Sequence, residues 1–387
     1  MQSPDVDVAV AGAGPAGAAT ALLAAARGLR VAIFDRSRFP RDKPCGEGLM
    51  PSGVPVLRRL GLESQLNAAG MPVLAGIAFG LLGGEPRSVR FPIAGVERGL
   101  GVRRVRFDAL LAERLAADSR IEFHEGTSAE GALRAEGGLP ALQTALGEVR
   151  ARFVVAADGL HSSIRRRLGW TIGPQAPLRY GVVGHWRDDG VPDTWVRITV
   201  DEGMECYEAP VGQGERLVAL LCRRDQAARF GGRLQDRYLE LVRQLRPHLQ
   251  DSSLSGPVSA VGPFRYRART VARRGIFLIG DAASFVDPIT GEGIAAGLRQ
   301  AQALVSCFEA RLPEAAYRLA HRRLTRDPRR VAALLVYLTG SIQRAARGMR
   351  GLDRAPDAMV NLLGVNLGYW GFERIAPRQW LALLAGR

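Results

Sequence analysis

The stretch VDVAVAGAGPAG at residues 6–17 decides the fold of this chain. Its first six residues are mostly apolar, which is typical of a strand buried on both faces. Three glycines follow, Gly12, Gly14 and Gly17, and the alanine-rich residues 15–27 predict a helix. The first glycine permits a tight turn, the second lets the backbone approach a phosphate, and the third lets helix and strand pack closely. The stretch therefore predicts the strand, turn and helix of a nucleotide-binding unit.

The residues around this turn supply groups that suit a dinucleotide. Pro15 and Ala16 open the helix, whose free N–H groups and positive dipole end favour phosphate oxygens. Residues 31–34 predict a second buried strand, and Asp35 ends it, 21 residues after the second glycine. A carboxylate at this distance accepts hydrogen bonds from ribose hydroxyls, and we assign Arg36 beside it to the same site. This unit alone does not separate NAD from FAD, and a tight turn without nucleotide is the alternative.

The basic charge of the chain does not indicate a nucleic-acid partner. The formal charge is +15, which by itself suggests nucleic acid or an anionic membrane. Lys43 is the only lysine, however, and the remaining 52 basic residues are arginines spread along the whole length. No recognition motif for nucleic acid accompanies them. We therefore predict a solvated basic surface, a small-molecule substrate and no nucleic-acid partner.

Cysteine and histidine usage predicts neither disulfides nor a metal site. No C-x-x-C pair occurs, and no Cys/His cluster has zinc spacing. The uncharged residues 9–26 are too rich in glycine and alanine for a membrane span and no secretory signal pattern is visible, so we expect a cytoplasmic protein. Free thiols are then the expectation for all four cysteines, which are Cys45, Cys206, Cys222 and Cys307.

Two later motifs identify the cofactor. Asp158-Gly159 follows one predicted buried strand, and Gly280-Asp281 follows another. Together with the glycine-rich turn, they resemble the three fingerprints of the para-hydroxybenzoate hydroxylase and geranylgeranyl reductase superfamily of flavoproteins. The resemblance covers residues 6–312. It implies that Asp281 holds the ribityl chain of FAD, and that Asp158 and Gly159 lie near the pyrophosphate.

The same resemblance implies the domain organisation. The expected fold is α/β, with a Rossmann-type FAD-binding domain, an inserted antiparallel β-sheet substrate domain and a helical C-terminal region. The cofactors implied are FAD and, as the reductant, NADPH or NADH, for which no second nucleotide-binding fold is visible. The predicted bounds are 1–72, 100–168 and 265–312 for the FAD-binding domain, 73–99 and 169–264 for the substrate domain, and 313–387 for the C-terminal region.

The segment after the Gly-Asp motif is expected to lie against the flavin ring. Reduced flavin carries negative charge at N1 and the C2 oxygen, which the N-terminus of a helix beginning near Gly293 can stabilise. Gly291 and Gly293, with Ile294 beside them, allow a close approach of the ring. Pro288 lies in the same segment, and we place it among the candidate catalytic residues.

Two further segments resemble motifs of the superfamily. Arg104 begins an R-x-x-F-D segment, which implies that its guanidinium lies along the cofactor; an arginine at the start of a surface helix is the alternative. Lys43-Pro44-Cys45-Gly46 resembles the K-x-C-G signature of the geranylgeranyl reductase branch. We therefore name Lys43 and Cys45 as candidate catalytic residues. A solvated loop lysine and a buried structural cysteine are the alternatives.

Strand-like patterns between residues 180 and 223 predict the inserted sheet, which in the superfamily covers the flavin and forms the substrate pocket. We assign four of its residues to that pocket, although residues of this kind on a sheet are often core. They are Trp186, Trp195, Tyr207 and Pro210.

The family resemblance leaves the reaction open. The compact length favours an NAD(P)H-dependent monooxygenase that hydroxylates an aromatic or polyketide-like small molecule in a bacterial biosynthetic pathway. The K-x-C-G signature favours the alternative, a reductase of prenyl double bonds. A flavin-binding protein without turnover is a second alternative. Flavin halogenases carry a W-x-W-x-I-P segment that is absent here, so halogenation is not expected.

The last 75 residues match no motif and predict mainly helix. Residues 331–338 and 360–371 are apolar, and Trp370, Phe372 and Trp380 lie among arginines. Aromatic and arginine side chains together suit a bilayer interface, but no stretch reaches the ~20 apolar residues needed to span a membrane. We expect a helical cap over the substrate pocket, with a peripheral membrane contact as the alternative. The sequence does not indicate the oligomeric state.

Overall fold

A computed structural model describes the chain over residues 3–93, 95, 97–134, 138–187 and 194–386. Its strands, in chain order, are β1 (Val6–Ala11), β2 (Val31–Asp35), β3 (Gly48–Leu49), β4 (Val73–Leu74), β5 (Gly76–Leu81), β6 (Arg87–Arg90), β7 (Gly99–Gly101), β8 (Ile121–Glu125), β9 (Ala129–Arg134), β10 (Pro140–Thr144), β11 (Gly147–Ala156), β12 (Thr171–Ile172), β13 (Arg179–Arg187), β14 (Trp195–Asp201), β15 (Met204–Gly212), β16 (Glu215–Arg223), β17 (Ser259–Val261), β18 (Tyr266–Ala268), β19 (Ala272–Arg273), β20 (Ile276–Leu278) and β21 (Ser284–Phe285). Its α-helices are α1 (Pro15–Ala25), α2 (Val54–Arg59), α3 (Glu63–Ala68), α4 (Arg104–Ala116), α5 (Ser163–Arg167), α6 (Arg224–Ala227), α7 (Leu234–Leu245), α8 (Gly293–Cys307), α9 (Pro313–Thr339), α10 (Ile342–Arg354), α11 (Asp357–Asn366) and α12 (Pro377–Ala385). Short 3-10 turns are Pro51–Gly53, Ala228–Phe230, Pro247–Leu249, Gly280–Ala282, Pro288–Thr290 and Phe372–Arg374.

The central sheet brings the three sequence motifs together. Its parallel strands lie in the order β20–β11–β1–β2–β8, and β19 pairs antiparallel with β20 at one edge. Ala11 at the end of β1 is in register with Ala156, which is in register with Leu278. Parallel strands end at the same edge of a sheet, so the turns after β1, β11 and β20 are neighbours there. These turns carry the glycine-rich, Asp-Gly and Gly-Asp motifs.

A second sheet faces the motif edge. Its order is β17–β13–β16–β15–β14–β5–β6, antiparallel except for the parallel pair β14 and β5. Residues alternate between its two faces. Along β15, Tyr207 points toward the nucleotide-binding part, whereas its neighbours Cys206 and Glu208 point toward α7 and are fully buried there. The mixed α/β fold with an added, mainly antiparallel sheet and C-terminal helices is confirmed.

The C-terminal residues are helical, as expected. α9 packs against α8 and against the Pro288–Thr290 turn, while α10 packs on α12. Pro328 lies inside α9 and has no N–H to donate to the carbonyl four residues earlier, and the Thr325 hydroxyl donates to the His321 carbonyl at 2.8 Å. Both features bend a helix. None of the helices formed by the described residues has the length and apolar character needed to cross a membrane.

The apolar pattern of the sequence also predicts helices over residues 54–66, 234–249 and 293–312, and each of them is interrupted or ends earlier in the structure. Residues 54–66 form two helices rather than one, because the chain turns at Gly61 with φ +70°. Residues 234–249 stop being α-helical at Leu245, since Arg246 precedes Pro247 and adopts φ −137° and ψ 72°. The helix predicted over 293–312 ends at Cys307. In each case the apolar pattern continues past the point where the backbone leaves the helix.

Candidate functional site

A cavity of about 250 Å³ lies between the motif edge of the central sheet and the second sheet. The glycine-rich turn, the Asp-Gly turn and the segment from Gly280 to Gly297 form one part of its wall. Residues of β13, β15 and β16 form the opposite part, and α9 closes one side. The geometry thus places a nucleotide-type turn and an apolar chamber in one continuous space.

The glycine-rich turn has the geometry that its motif predicts. Gly12 has φ +96°, and a Cβ added at Gly17 would lie 1.8 Å from the Gly12 carbonyl oxygen. Gly14 is the N-cap of α1 and provides no side-chain cap, so the first N–H groups of the helix remain available to a ligand. Gly14, Pro15 and Ala16 line the cavity. The turn therefore suits a pyrophosphate.

The acidic end of β2 supports this turn from behind. Asp35 is buried and accepts hydrogen bonds from the N–H groups of Ala13 at 2.8 Å and Ser37 at 2.9 Å. Arg36 has an exposed side chain, and its assignment to the site stays a prediction. Arg41, which the sequence analysis did not single out, lies 3.8 Å from the Asp35 carboxylate and 3.8 Å from a Cβ added at Gly14.

The two residues of the Asp-Gly motif have different surroundings. The Asp158 carboxylate accepts from Ser163 Oγ at 3.3 Å and from the Ile164 N–H at 3.2 Å, so it caps α5 rather than lining the cavity. Asp158 itself is not among the residues that line the cavity, and its place near the pyrophosphate stays a prediction. Gly159 has φ +83° and does line the cavity, where an added Cβ would lie 3.0 Å from the Lys43 Nζ.

Arg165 ties the Asp-Gly and Gly-Asp motifs together. It is 1% exposed, and its guanidinium donates to the Asp281 carbonyl at 3.1 Å, the Ala282 carbonyl at 2.8 Å and the Leu160 carbonyl at 2.7 Å. These contacts fix the backbone around Asp281 from outside the cavity. Sequence reasoning missed Arg165, because the carbonyl groups of Asp281 and Ala282 that it binds lie far away in the chain.

The Gly-Asp segment forms the flavin side of the cavity. Gly280 has φ +56°, and its N–H donates to Gln300 at 2.8 Å. Burial raises the pKa of Asp281, and the positive charges of Lys43, Arg104 and Arg165 act against that rise. The segment from Pro288 to Ile294 follows on the cavity wall and includes Gly291, at φ +66°, and Gly293.

The start of α8 is open to a ligand. A Cβ added at Gly293 would meet no atom within 4 Å, and the N-cap residue Glu292 makes no capping hydrogen bond. The free N–H groups and the positive end of the helix dipole therefore face the cavity, as required for an anionic ring edge. The N-termini of α1 and α8 both lack a side-chain cap and both border this cavity. The residues of the site therefore fit FAD, which needs one helix start for its pyrophosphate and one for its ring.

The K-x-C-G segment borders the same cavity. Burial lowers the pKa of Lys43, as does the charge of Arg104, while Asp281 acts in the opposite direction. Burial raises the pKa of Cys45. The Cys45 thiol also accepts a hydrogen bond from the Glu47 N–H at 3.3 Å. Cys45 therefore remains a thiol at neutral pH.

Glu47 holds this segment in place and was missed by sequence reasoning. It is 1% exposed, adopts φ +52°, and its carboxylate meets the Arg104 N–H at 2.7 Å, Arg103 at 3.1 Å and His185 at 2.8 Å. These contacts join the segment to α4 and to β13 of the second sheet. The guanidinium of Arg104 lines the cavity and is paired with Asp108 at 2.6 Å. A buried carboxylate so well paired is a structural anchor.

Only one of the four predicted pocket residues lines the cavity. Tyr207 does so, and its buried hydroxyl has no hydrogen-bond partner among the described residues. The prediction for Trp186 is wrong, because this side chain lies on the opposite face of the sheet and donates a hydrogen bond to Tyr238 at 2.9 Å. Trp195 lies outside the cavity under the Arg90 guanidinium, 4.9 Å from it. Pro210 also lies outside, where its carbonyl oxygen would be 2.0 Å from a Cβ added at Gly101.

Two further acids line the cavity and were not predicted. Burial raises the pKa of Glu292 to about 8, and its hydrogen-bond partner is the Ser52 hydroxyl at 3.3 Å. Burial likewise raises the pKa of Asp287 to about 6, although Arg179 lies 3.4 Å away and opposes that rise. Both carboxyl groups flank Pro288 and Gly291, so protonatable groups surround the segment expected to contact the flavin.

Within the described ranges, no group of three or more His, Cys, Asp or Glu residues could hold a metal ion. The cysteines are free thiols, as expected.

The fold and this site define an FAD-dependent oxidoreductase. A family model described as an FAD binding domain matches residues 5–339, and the chain belongs to that family. The menaquinone reductase of Mycobacterium tuberculosis is 30% identical over 329 residues, which cover 79% of this chain and 77% of the relative. Digeranylgeranylglycerophospholipid reductase 2 of Methanopyrus kandleri is 29% identical over 306 residues, covering 75% and 73%. A solved flavoprotein/dehydrogenase from Cytophaga hutchinsonii shares the fold, with a TM-score of 0.78 at 20% identity over 94% of this chain and 93% of that chain.

Proposed function

We propose that the chain uses electrons from NAD(P)H to reduce a carbon–carbon double bond in a substrate with an apolar, prenyl-like tail. The observation that carries the proposal is the apolar chamber that continues from the flavin side of the cavity. Its wall includes Leu160, Leu221, Val261, Phe264 and Phe285. Apolar walls stabilise a hydrocarbon chain by excluding water. Two relatives whose names describe reductases of prenylated molecules support the same substrate class.

The residues of the chain divide the work of such a reaction. Backbone N–H groups at Gly14 to Ala16 would hold the pyrophosphate, and Asp281 the ribityl chain. The start of α8 would face the anionic edge of the flavin ring. Bound FAD supplies the hydride chemistry. Saturating a double bond needs one proton as well as one hydride, and the chain can provide the proton from Tyr207 or Glu292.

Burial keeps both of these groups protonated at neutral pH. Burial raises the pKa of the Tyr207 phenol further above its ordinary value of 10. Burial raises the pKa of Glu292 to about 8. A solvent isotope effect on product formation that disappears in one of Tyr207→Phe and Glu292→Gln would identify the donor.

Hydroxylation of an aromatic substrate is the second candidate, and the aromatic part of the wall supports it. Tyr207, Phe264 and Phe285 line the cavity and could stack on a ring substrate. The compact length of the sequence also favours hydroxylation. It requires O2, whereas reduction of a double bond does not.

The two reactions are separated by anaerobic turnover. The FAD-loaded protein is mixed with NADPH without O2, in parallel with menaquinone and with a digeranylgeranylglycerophospholipid, which carries an anionic head group. The product is analysed by mass spectrometry. A gain of two hydrogens that persists after air has reoxidised the quinone ring, together with oxidation of NADPH, supports reduction of a carbon–carbon double bond. Absence of anaerobic product, with an added oxygen atom only under air, supports the hydroxylase. A yellow protein that oxidises neither NADPH nor NADH with either substrate class would leave a flavin-binding protein without turnover.

A further inference from the structure

The inner face of α9 presents an arginine to the cavity. Leu324, Thr325, Pro328, Arg329 and Ala332 all line the cavity. Their spacing places them on one face of the helix. The face is mainly apolar, and Arg329 is the charged residue in it. A guanidinium on such a wall is unusual, because burying a charge is costly unless a partner compensates it.

The other two arginines on the cavity wall have partners within the protein, whereas Lys43 lies beside the Asp-Gly turn and Asp281, where the cofactor is expected. Arg104 is paired with Asp108 at 2.6 Å. Arg299 donates to the Leu367 carbonyl at 2.7 Å and lies close to Glu292. Arg329, in contrast, forms no hydrogen bond or ion pair with any described residue.

The surroundings of Arg329 make its charge more costly still. Burial lowers its pKa, and the positive charge of Arg267 on β18 lowers it further. His321, about two helical turns earlier on α9, is buried, and its Nε2 has no partner among the described residues. Arginine nevertheless stays charged in proteins. A positive charge beside the basic Arg267 therefore remains uncompensated by the described residues at the edge of an apolar chamber.

We infer that Arg329 recognises an anionic group, of carboxylate or phosphate chemistry, on the molecule whose apolar part fills the chamber. This inference rests on the proposed function only in taking the cavity as the substrate site. The phosphates of FAD do not account for Arg329, because they are expected at the glycine-rich turn that begins α1. The substrate class is thus an amphiphile with an acidic head, and Arg329 determines specificity rather than taking part in the chemistry.

Binding of a matched acid and alcohol tests the inference without any turnover. Isothermal titration calorimetry measures the affinity of the FAD-loaded protein for octanoate and for octan-1-ol. The wild type should prefer the acid by about tenfold or more, the factor expected for one charge-assisted hydrogen bond in a shielded site. Arg329→Gln should lose that preference and keep its affinity for the alcohol. Arg322→Gln, on the exposed face of the same helix, should behave as the wild type.

Equal affinity of the wild type for acid and alcohol would overturn the inference, as would an unchanged acid preference in Arg329→Gln. If Arg329→Gln fails to retain FAD, Arg329→Met decides the question in the same way, since it keeps an apolar stem and also lacks the charge. Failure of these titrations leaves the reductase assay unaffected, and failure of that assay leaves the titrations interpretable.

The anion could also be the 2′-phosphate of the reductant, and kinetics of flavin reduction distinguish this source. Arg329→Gln should alter the KM for NADPH and for NADH equally or not at all if the substrate carries the anion. A KM raised for NADPH alone, together with unchanged octanoate binding, would assign Arg329 to the nucleotide and overturn the substrate assignment.

Discussion

At the scale of single residues, two aspartates that the sequence treats alike have different surroundings. Asp281 lies on the cavity wall, whereas Asp158 turns away to cap α5. We expect Asp281→Ala to lose most of its FAD during purification. Asp158→Ala should retain FAD but unfold more easily by about 0.5–2 kcal/mol, the usual cost of losing a helix cap. The flavin-to-protein absorbance ratio and urea unfolding measure the two effects. Equal FAD content in the wild type and Asp281→Ala would remove that residue from the binding site.

Lys43 and Cys45 share one loop but differ in the expected effect of substitution. The ammonium of Lys43 lies between the Asp-Gly turn and Asp281, so Lys43→Ala should slow flavin reduction by NADPH more than it lowers the melting temperature. Cys45→Ser should be milder, because burial raises the pKa of the thiol and no reactive thiolate is available. Stopped-flow reduction rates measure both. A Lys43→Ala rate equal to that of the wild type would indicate a merely solvated lysine.

Glu292 should make the stability of the protein fall as pH rises. Its pKa is about 8 in the folded chain against 4.5 as the ordinary value, so between these values the folded state binds a proton that the unfolded state has lost. The free energy of unfolding therefore decreases across this window. Glu292→Gln removes the titration, and its advantage over the wild type should grow from pH 5 to pH 8. Melting temperatures at four pH values test this, and a constant difference would contradict it.

The residues that the sequence missed have a common physical reason. Glu47, Arg41 and Arg165 act through partners that lie far away in the chain, such as His185 of β13 and the Asp281 carbonyl. No local motif encodes such pairings. The glycines could be predicted because a positive φ or a close approach restricts a single position, as at Gly12.

At the scale of elements, the sequence predicts strands better than it predicts which face of a strand meets the cavity. Alternation along β13 and β15 gives two faces, and both are apolar, because α7 covers the outer one. Trp186 and Tyr207 could not be told apart by periodicity for this reason. The motif turns, in contrast, follow from topology alone, since parallel strands share a carboxyl edge.

The outer face of the second sheet depends on a buried ionic cluster that holds the segment after α7. Glu208 is fully buried and contacts Arg216 at 2.7 Å, Arg246 at 2.6 Å and His248 at 3.0 Å. Although burial by itself raises the pKa of Glu208, these partners lower it to about 2. Its stabilising contribution is present above pH 4.5 and is lost as pH falls toward 2.

Glu208→Gln should therefore destabilise the protein by about 3–5 kcal/mol at pH 7, because it leaves buried guanidinium groups uncompensated. The loss should shrink as pH falls from 4.5 toward 2, where the wild-type carboxylate takes up a proton. Urea unfolding at pH 7 and pH 3 measures both effects. Glu240→Gln on α7, whose partner Arg237 is at the surface, is the control and should change stability little. A pH-independent difference would show that the Glu208 charge is not the cause.

At the scale of the whole molecule, the structure assigns the cap over the cavity to α9 rather than to the end of the chain. Of the residues after 313, those that line the cavity belong to α9 in the described part of the chain. The remaining helices pack behind it. Leu381 and Leu384 of α12 are 64% and 44% exposed, on a face that no described element covers.

This exposed face has charged neighbours that suit an anionic surface. Arg354 of α10 donates to the Gly386 carbonyl at the end of α12, and Arg347 packs against Gly386. Apolar side chains bordered by arginines bind the interface of an anionic bilayer through burial and charge together. We therefore expect the FAD-loaded protein to co-sediment with phosphatidylglycerol vesicles at low salt and to be released as salt screens the charges.

A double substitution tests this contact without truncating the chain. Leu381→Asp with Leu384→Asp removes the apolar face and adds two negative charges, so it should abolish co-sedimentation while FAD content stays unchanged. Leu146→Asp is the matched control, because Leu146 is 70% exposed in the turn between β10 and β11 and should not affect binding. Sedimentation that persists in the double variant would move the contact elsewhere. If the wild type does not sediment at any salt concentration, an amphiphilic substrate must reach the cavity from solution, and the C-terminal helices then serve only to support α9.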